Sequence, residues 1–155
     1  MAKYPVVVYG ASGYTGMLIM DWLIDQQIPF TAVARNAKRV QEMMAERVVR
    51  LESATYEIIE AEHNVAALTQ AFKGARVVCN TVGPFVNFGL TTVEAALEAG
   101  CHHIDTTGEQ GYIRSVRDRF GDLYAQAGLL VAPSTAYMYT FAEIAAELAL
   151  ETRGI

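Results

Sequence analysis

The sequence predicts an α/β domain: a doubly wound parallel sheet of strand order 3-2-1-4-5-6. Three observations carry that expectation. Short β-branched runs alternate with helix-period stripes from one end to the other, a glycine-rich turn joins the first run to the first stripe, and 155 residues suffice for one hydrophobic core. Apolar residues make up 52% and charged residues 19%, the balance of a chain whose strands are covered on both faces.

The strand runs are Val6–Tyr9, Phe30–Ala34, Tyr56–Ile59, Arg76–Asn80, His103–Thr106 and Leu129–Ala132. Because stretches of helical length separate them, each strand must return parallel to its predecessor, by right-handed crossovers. The intervening stripes are Val40, Met43, Met44, Val48 and Leu51, then Val65, Leu68 and Phe72, then Ile113, Val116, Phe120 and Leu123. Their spacing of three or four residues lays each stripe along one helix face, turned toward the sheet. After the sixth strand, Tyr139 to Thr152 reads as a further helix. Phe141, Ile144, Ala145 and Leu148 form one side and Glu143, Glu147 and Glu151 another, while Ala146, Ala149 and Leu150 widen the apolar face. The expected organisation is a domain over 1–138 and a helix over 139–155 that needs a partner surface.

Charge and composition exclude several classes. A net charge of −5 with scattered Lys and Arg is wrong for a nucleic-acid partner, which requires clustered cations against phosphates. Apolar runs fall short of the ~18 residues of a membrane span and the N-terminus has no signal-peptide pattern, so the expected location is cytoplasmic. Cys79 and Cys101 are expected as reduced thiols. His102 and His103, neighbours on a strand, point to opposite faces and make no metal pair.

The chemistry is concentrated in Gly10-Ala11-Ser12-Gly13-Tyr14-Thr15-Gly16, placed directly between the first strand and the first helix. Gly10 permits the tight turn, Gly13 a close approach of a pyrophosphate to the backbone, and Gly16 close packing of helix on sheet. The helix start supplies amide donors, with Ser12 and Thr15 adding hydroxyls. This is the dinucleotide-binding turn of a Rossmann-type domain. Where NAD binders place an acidic residue at the end of the second strand, this chain has Ala34-Arg35-Asn36-Ala37-Lys38-Arg39. A guanidinium there suits a ribose 2′-phosphate, so the expected cofactor is NADP(H). Asn80-Thr81-Val82-Gly83-Pro84-Phe85 follows the fourth strand, where such a loop passes the nicotinamide-side ribose. Asp105, Glu109, Tyr137 and Tyr139 are polar candidates at the same edge, each with a structural alternative.

Gly10–Gly16, Ala34-Arg35-Asn36 with Lys38, Asn80–Phe85 with Gly89, and Ala99-Gly-Cys-His-His-Ile-Asp105-Thr-Thr-Gly-Glu109 together resemble the saccharopine dehydrogenase-like family, in the branch that includes the trans-acting enoyl reductases. The resemblance implies NADP(H)-linked oxidoreductase chemistry and cofactor contacts at Gly10, Ser12, Gly13, Tyr14, Thr15, Gly16, Arg35, Asn36, Lys38, Asn80, Thr81, Val82, Gly83 and Pro84. It further implies that the helix over 139–155 leads towards a second, substrate-closing domain absent from this chain, and Pro133–Phe141 departs from the Gly-rich, Asp-containing stretch usual there. The Tyr-x-x-x-Lys pair of short-chain dehydrogenases is missing, since Tyr124 is followed by Gly128 and Tyr137 by Phe141. The expected function is the cofactor half of an enzyme moving hydride between NADPH and an activated double bond or imine. The alternative is a non-catalytic NADPH-sensing module that acts through a protein partner. In either case the apolar final helix requires a homodimer or a continuing domain to cover it.

Overall fold

The computed structural model of the chain describes residues 1–47 and 51–153. Its strands are β1 (Val6–Tyr9), β2 (Phe30–Ala34), β3 (Tyr56–Glu60), β4 (Val77–Asn80), β5 (His102–Asp105) and β6 (Val131–Ala132). Its helices are α1 (Tyr14–Asp25), α2 (Ala37–Arg47), α3 (Val65–Phe72), α4 (Phe85–Ala99), α5 (Gln110–Gln126) and α6 (Tyr137–Arg153). The six strands form one sheet of order β3-β2-β1-β4-β5-β6 in which every pairing is parallel. The chain thus has the doubly wound architecture that the alternation of runs and stripes predicts.

β1 is the central strand, with Val7 and Val8 fully buried, and the core divides around it. On one face Val8, Phe30, Ala32 and Ala34 pack against Met17, Met20, Leu23 and Ile24 of α1 and Val40 and Met44 of α2. On the other, Val7, Tyr9, Val33 and Val78 pack against α3 and α4 through Leu68, Phe72, Ala95 and Ala96. A third cluster joins α4 to α5 through Phe85, Val93, Tyr112, Val116, Phe120 and Tyr124. Val40 and Met44 face the sheet as their spacing predicts, whereas Val48 lies outside the described residues.

Local chemistry ends the elements. Asn64 Oδ1 accepts from Ala67 N at 2.9 Å and so caps α3. Gly100, at φ +76°, closes α4 in the left-handed conformation. β6 is shorter than its apolar run: only Val131 and Ala132 pair with β5, Leu130 is exposed, and Pro133, lacking an N–H, stops the ladder. α6 starts at Tyr137, two residues before the Tyr139 read from the sequence, and none of its residues is buried.

Packing between α4 and α5 is close enough to demand glycine at one position. A Cβ on Gly89 would run into the Tyr112 ring, which is 2% exposed and tied by its hydroxyl to Asp105 Oδ2 at 2.7 Å. The ring therefore has no free direction in which to give way. Gly89→Val should lower stability by about 1–3 kcal/mol through overpacking. A urea or thermal melt of that variant matching the wild type would show that the helices separate freely.

Candidate cofactor site

The site is built on the β1 turn. Gly10, at φ +89°, reverses the chain, and its amide and that of Ala11 donate to Val33 O of β2 at 3.0 and 3.3 Å. From the other side, Thr81 donates to Tyr9 O through both its amide and its hydroxyl, each at 2.9 Å. The turn is therefore clamped between β2 and β4. A Cβ on Gly10 would sit 2.5 Å from Thr81 Oγ1, and one on Gly16 would sit 2.5 Å from Gly10 O, so both glycines are fixed by close approach. Gly13 differs: only Gly10 O, at 3.2 Å, lies near where its Cβ would be. A side chain at Gly13 would extend into open space above the turn, which is the cradle a pyrophosphate needs.

A cleft of about 240 Å³ opens at this edge, lined by Tyr9, Gly10, Ser12, Gly13, Ala34, Arg35, His63, Thr81, Val82, Gly83 and Phe88. It lies where the chain leaves β1 for α1 on one side and β4 for α4 on the other, the switch point of the doubly wound sheet. Among the residues expected from the sequence, Gly10, Ser12, Gly13, Arg35, Thr81, Val82 and Gly83 come together in its wall.

The remaining candidates stand beside the cleft. Tyr14 and Thr15 are exposed in the first turn of α1, and Gly16 is buried beneath them. Asn36 Oδ1 accepts from Arg39 N at 2.9 Å, and Lys38 pairs with Glu42 at 3.7 Å on the outside of α2. Asn80 is buried, its Oδ1 accepting from Val82 N at 2.9 Å while its Nδ2 has no partner among the described residues. Pro84 follows a cis peptide bond from Gly83 and leads into α4.

Four wall residues lie outside the cofactor contacts expected from the sequence. Tyr9 and Ala34 end β1 and β2, while His63 follows β3 and Phe88 sits in the first turn of α4. The Tyr9 hydroxyl and His63 Nδ1 are 2.7 Å apart, the two rings stack, and the His63 ring meets Phe88 edge to face at 5.1 Å. Burial pushes the Tyr9 hydroxyl up to about 12, so it stays protonated and can donate to His63. Burial, and then the Arg35 charge, hold the imidazole below its ordinary value. A neutral ring with Nδ1 as acceptor and its proton on Nε2 is the tautomer that satisfies the Tyr9 hydroxyl. The sequence signal for His63 was its place just after β3, at the same sheet edge as the glycine turn.

Asp105 and Glu109 brace the loops rather than enter the cleft. Glu109 accepts from Phe85 N at 2.8 Å and Val86 N at 2.7 Å, which places its carboxylate on the N-terminus of α4. Asp105 Oδ1 accepts from Thr107 N and Ser134 N at 3.0 and 3.1 Å, and its Oδ2 from the Tyr112 hydroxyl. Burial raises the Asp105 carboxyl, and these hydrogen bonds oppose the rise. Tyr137 is exposed, and the Tyr139 hydroxyl lies over Gly108. A second hollow, between Gln110, Ser134, Tyr139 and Glu143, separates α6 from the start of α5.

Several known proteins are similar to this chain in sequence or in fold. A saccharopine dehydrogenase-like oxidoreductase of Mus musculus is 28% identical over 147 residues, covering 86% of this chain and 34% of its own length. A Mycobacterium tuberculosis protein provisionally named a trans-acting enoyl reductase is 30% identical over 137 residues, covering 87% of this chain and 32% of its own. The chain thus spans about a third of these relatives. Among solved structures, saccharopine dehydrogenase from Saccharomyces cerevisiae superposes with a TM-score of 0.66 at 16% identity, over 85% of this chain and 27% of the enzyme, and so shares the fold. The pattern of the NAD(P)H-binding family matches residues 10–154, nearly the whole chain from the glycine turn onward. The chain belongs to that NAD(P)H-binding family, with a Rossmann-type fold, and is similar in sequence to saccharopine dehydrogenase-like oxidoreductases.

Proposed function

We propose that the cleft holds NADP(H) and that the chain is the cofactor half of an oxidoreductase. The observation that carries the cofactor choice is Arg35, exposed at the end of β2 and lining the cleft. In such sheets the adenosine ribose lies at this corner, and a guanidinium receives a 2′-phosphate through charge-assisted hydrogen bonds. In this reading Gly10, Ser12, Gly13, Tyr14, Thr15 and Gly16 form the pyrophosphate turn, with Arg35, Asn36 and Lys38 at the 2′-phosphate. Asn80, Thr81, Val82, Gly83 and Pro84 form the loop under the nicotinamide-side ribose. The bound dinucleotide supplies the hydride, delivered to an activated double bond or an imine, while the chain binds, orients and shields it. Cys79 and Cys101 are free thiols whose pKa burial raises to about 11, which keeps both protonated and unreactive. Among the described residues no helix is long and apolar enough to cross a membrane.

The substrate side requires a further surface. α6 exposes Tyr137, Met138, Phe141, Ile144, Leu148 and Leu150, a larger apolar area than a solvated helix carries. A homodimer, or the second domain implied by the greater length of the relatives, would cover it.

Three outcomes test these readings. In fluorescence titrations NADPH should bind more tightly than NADH, and Arg35→Asp should remove about 1.5–3 kcal/mol of the preference; equal affinities in the wild type would rule out the NADP assignment. Gly13→Val should weaken either dinucleotide at least about tenfold with native-like circular dichroism, because its methyls occupy the cradle; unchanged affinity would reduce the turn to a structural connection. By light scattering at micromolar concentration the chain alone should exceed its 17.0 kDa monomer mass. A clean monomer with an ordered α6 would sink the covering-surface argument.

A further inference from the structure

A carboxylate stands at the corner where the 2′-position of the cofactor would lie, although the β2 segment itself is free of acidic residues. β2 and β3 are in parallel register with Ala34 opposite Glu60, so the last residue of β3 reaches the sheet edge beside Arg35. There Glu60 Oε2 accepts a hydrogen bond from Ala37 N, the first amide of α2, at 2.9 Å. Asn36 Oδ1 takes Arg39 N, and Asn36 O takes Val40 N at 3.4 Å. The start of α2 is thus held by the chain's own acceptors, one of which carries a full negative charge.

This arrangement opposes Arg35. The Arg35 charge reaches Tyr9 and His63 across the cleft and favours an anion at the rim. A 2′-phosphate brings about 1.5 to 2 negative charges at neutral pH and would seek the same helix amides that Glu60 occupies. A 2′-hydroxyl brings no charge and donates readily to a carboxylate. Glu60 therefore penalises the phosphate and not the hydroxyl.

We propose that Glu60 is a specificity-determining residue: the negative charge it holds at the Ala37 amide keeps the NADP(H) preference of the cleft below the level that Arg35 alone would set. The inference rests on the cofactor reading above and adds to it a residue from a different strand. It makes discrimination at the 2′-position a balance between β2 and β3 rather than the work of one arginine.

The test is Glu60→Gln in the whole chain, titrated with NADPH and with NADH by fluorescence. The amide side chain keeps the acceptor for Ala37 N and removes only the charge, and a thermal melt checks that the fold is retained. NADPH should tighten about three- to fivefold, the scale of one exposed charge interaction, with NADH staying within about twofold. The gain should shrink in about 0.5 M salt, where exposed charges are screened. Glu60→Ala should move the ratio in the same direction. An NADPH-to-NADH ratio unchanged in both variants would overturn the role of Glu60 and leave the cofactor assignment standing. Equal tightening of both dinucleotides would overturn it too, since discrimination would be untouched. If the wild type bound neither, the cofactor reading itself would fall and take this inference with it.

Discussion

Everything at the functional edge depends on the contact between Gly10 and Thr81. Tyr9 O accepts both the amide and the hydroxyl of Thr81, while the amides of Gly10 and Ala11 reach Val33 O on the opposite neighbour. The turn after β1 is thereby stitched to both flanking strands, and its positive φ is held from two sides. A helix that starts from so fixed a point presents its first amides in a fixed direction, which is what anion binding at a helix start requires. Gly16 completes the device, since only a residue without Cβ lets α1 settle against Gly10 O.

Behind this contact stands a second set of braces from β5. Glu109 fastens α4 just beyond the Gly83–Pro84 step, and Asp105 fastens the loop after β6. Two carboxylates that resemble catalytic acids in the sequence thus have backbone amides as their partners. The distinction matters physically. A carboxylate that accepts two amide hydrogen bonds is held in one orientation toward the backbone, whereas a proton donor must face the reacting group. These residues shape the cleft by fixing the loops around it.

The legibility of the chain followed the range of the interactions. Runs such as Val6–Tyr9 and stripes such as Val40 and Met44 declare themselves because burial on a sheet imposes periods of two and near four, and the resulting strand order holds throughout. The glycine turn was legible because its chemistry is contiguous. His63, Phe88 and Glu60 were not, because each reaches the cofactor corner from another element, through register and packing that no local window records. The end of β2 was read as lacking a carboxylate, and within that segment it does; the acid arrives from the neighbouring strand, 25 residues or so further along by the parallel crossover.

The same register explains what remains uncovered. Val8, Cys79, Ile104 and Ala132 lie in one row across β1, β4, β5 and β6, on the face that α1 covers. Val8 is fully buried, yet the other three are only partly so, because α1 and α2 reach no further than β1 and its neighbours on that side. Parallel sheets are stable when both faces are dry, so this half of the sheet carries the same demand for a cover as the exposed residues of α6. Tyr14, Leu18 and Trp22 are exposed at four-residue intervals along α1 and add to the uncovered apolar surface. The cleft is lined by Thr81, Val82 and Gly83, which directly follow β4, a strand of this half-covered part of the sheet. A cover placed on the β4–β6 face would therefore lie next to the loop that follows Asn80, where the hydride-carrying end of the dinucleotide is proposed to rest. The demand for packing and the demand for a dry substrate site then fall on adjacent parts of one surface.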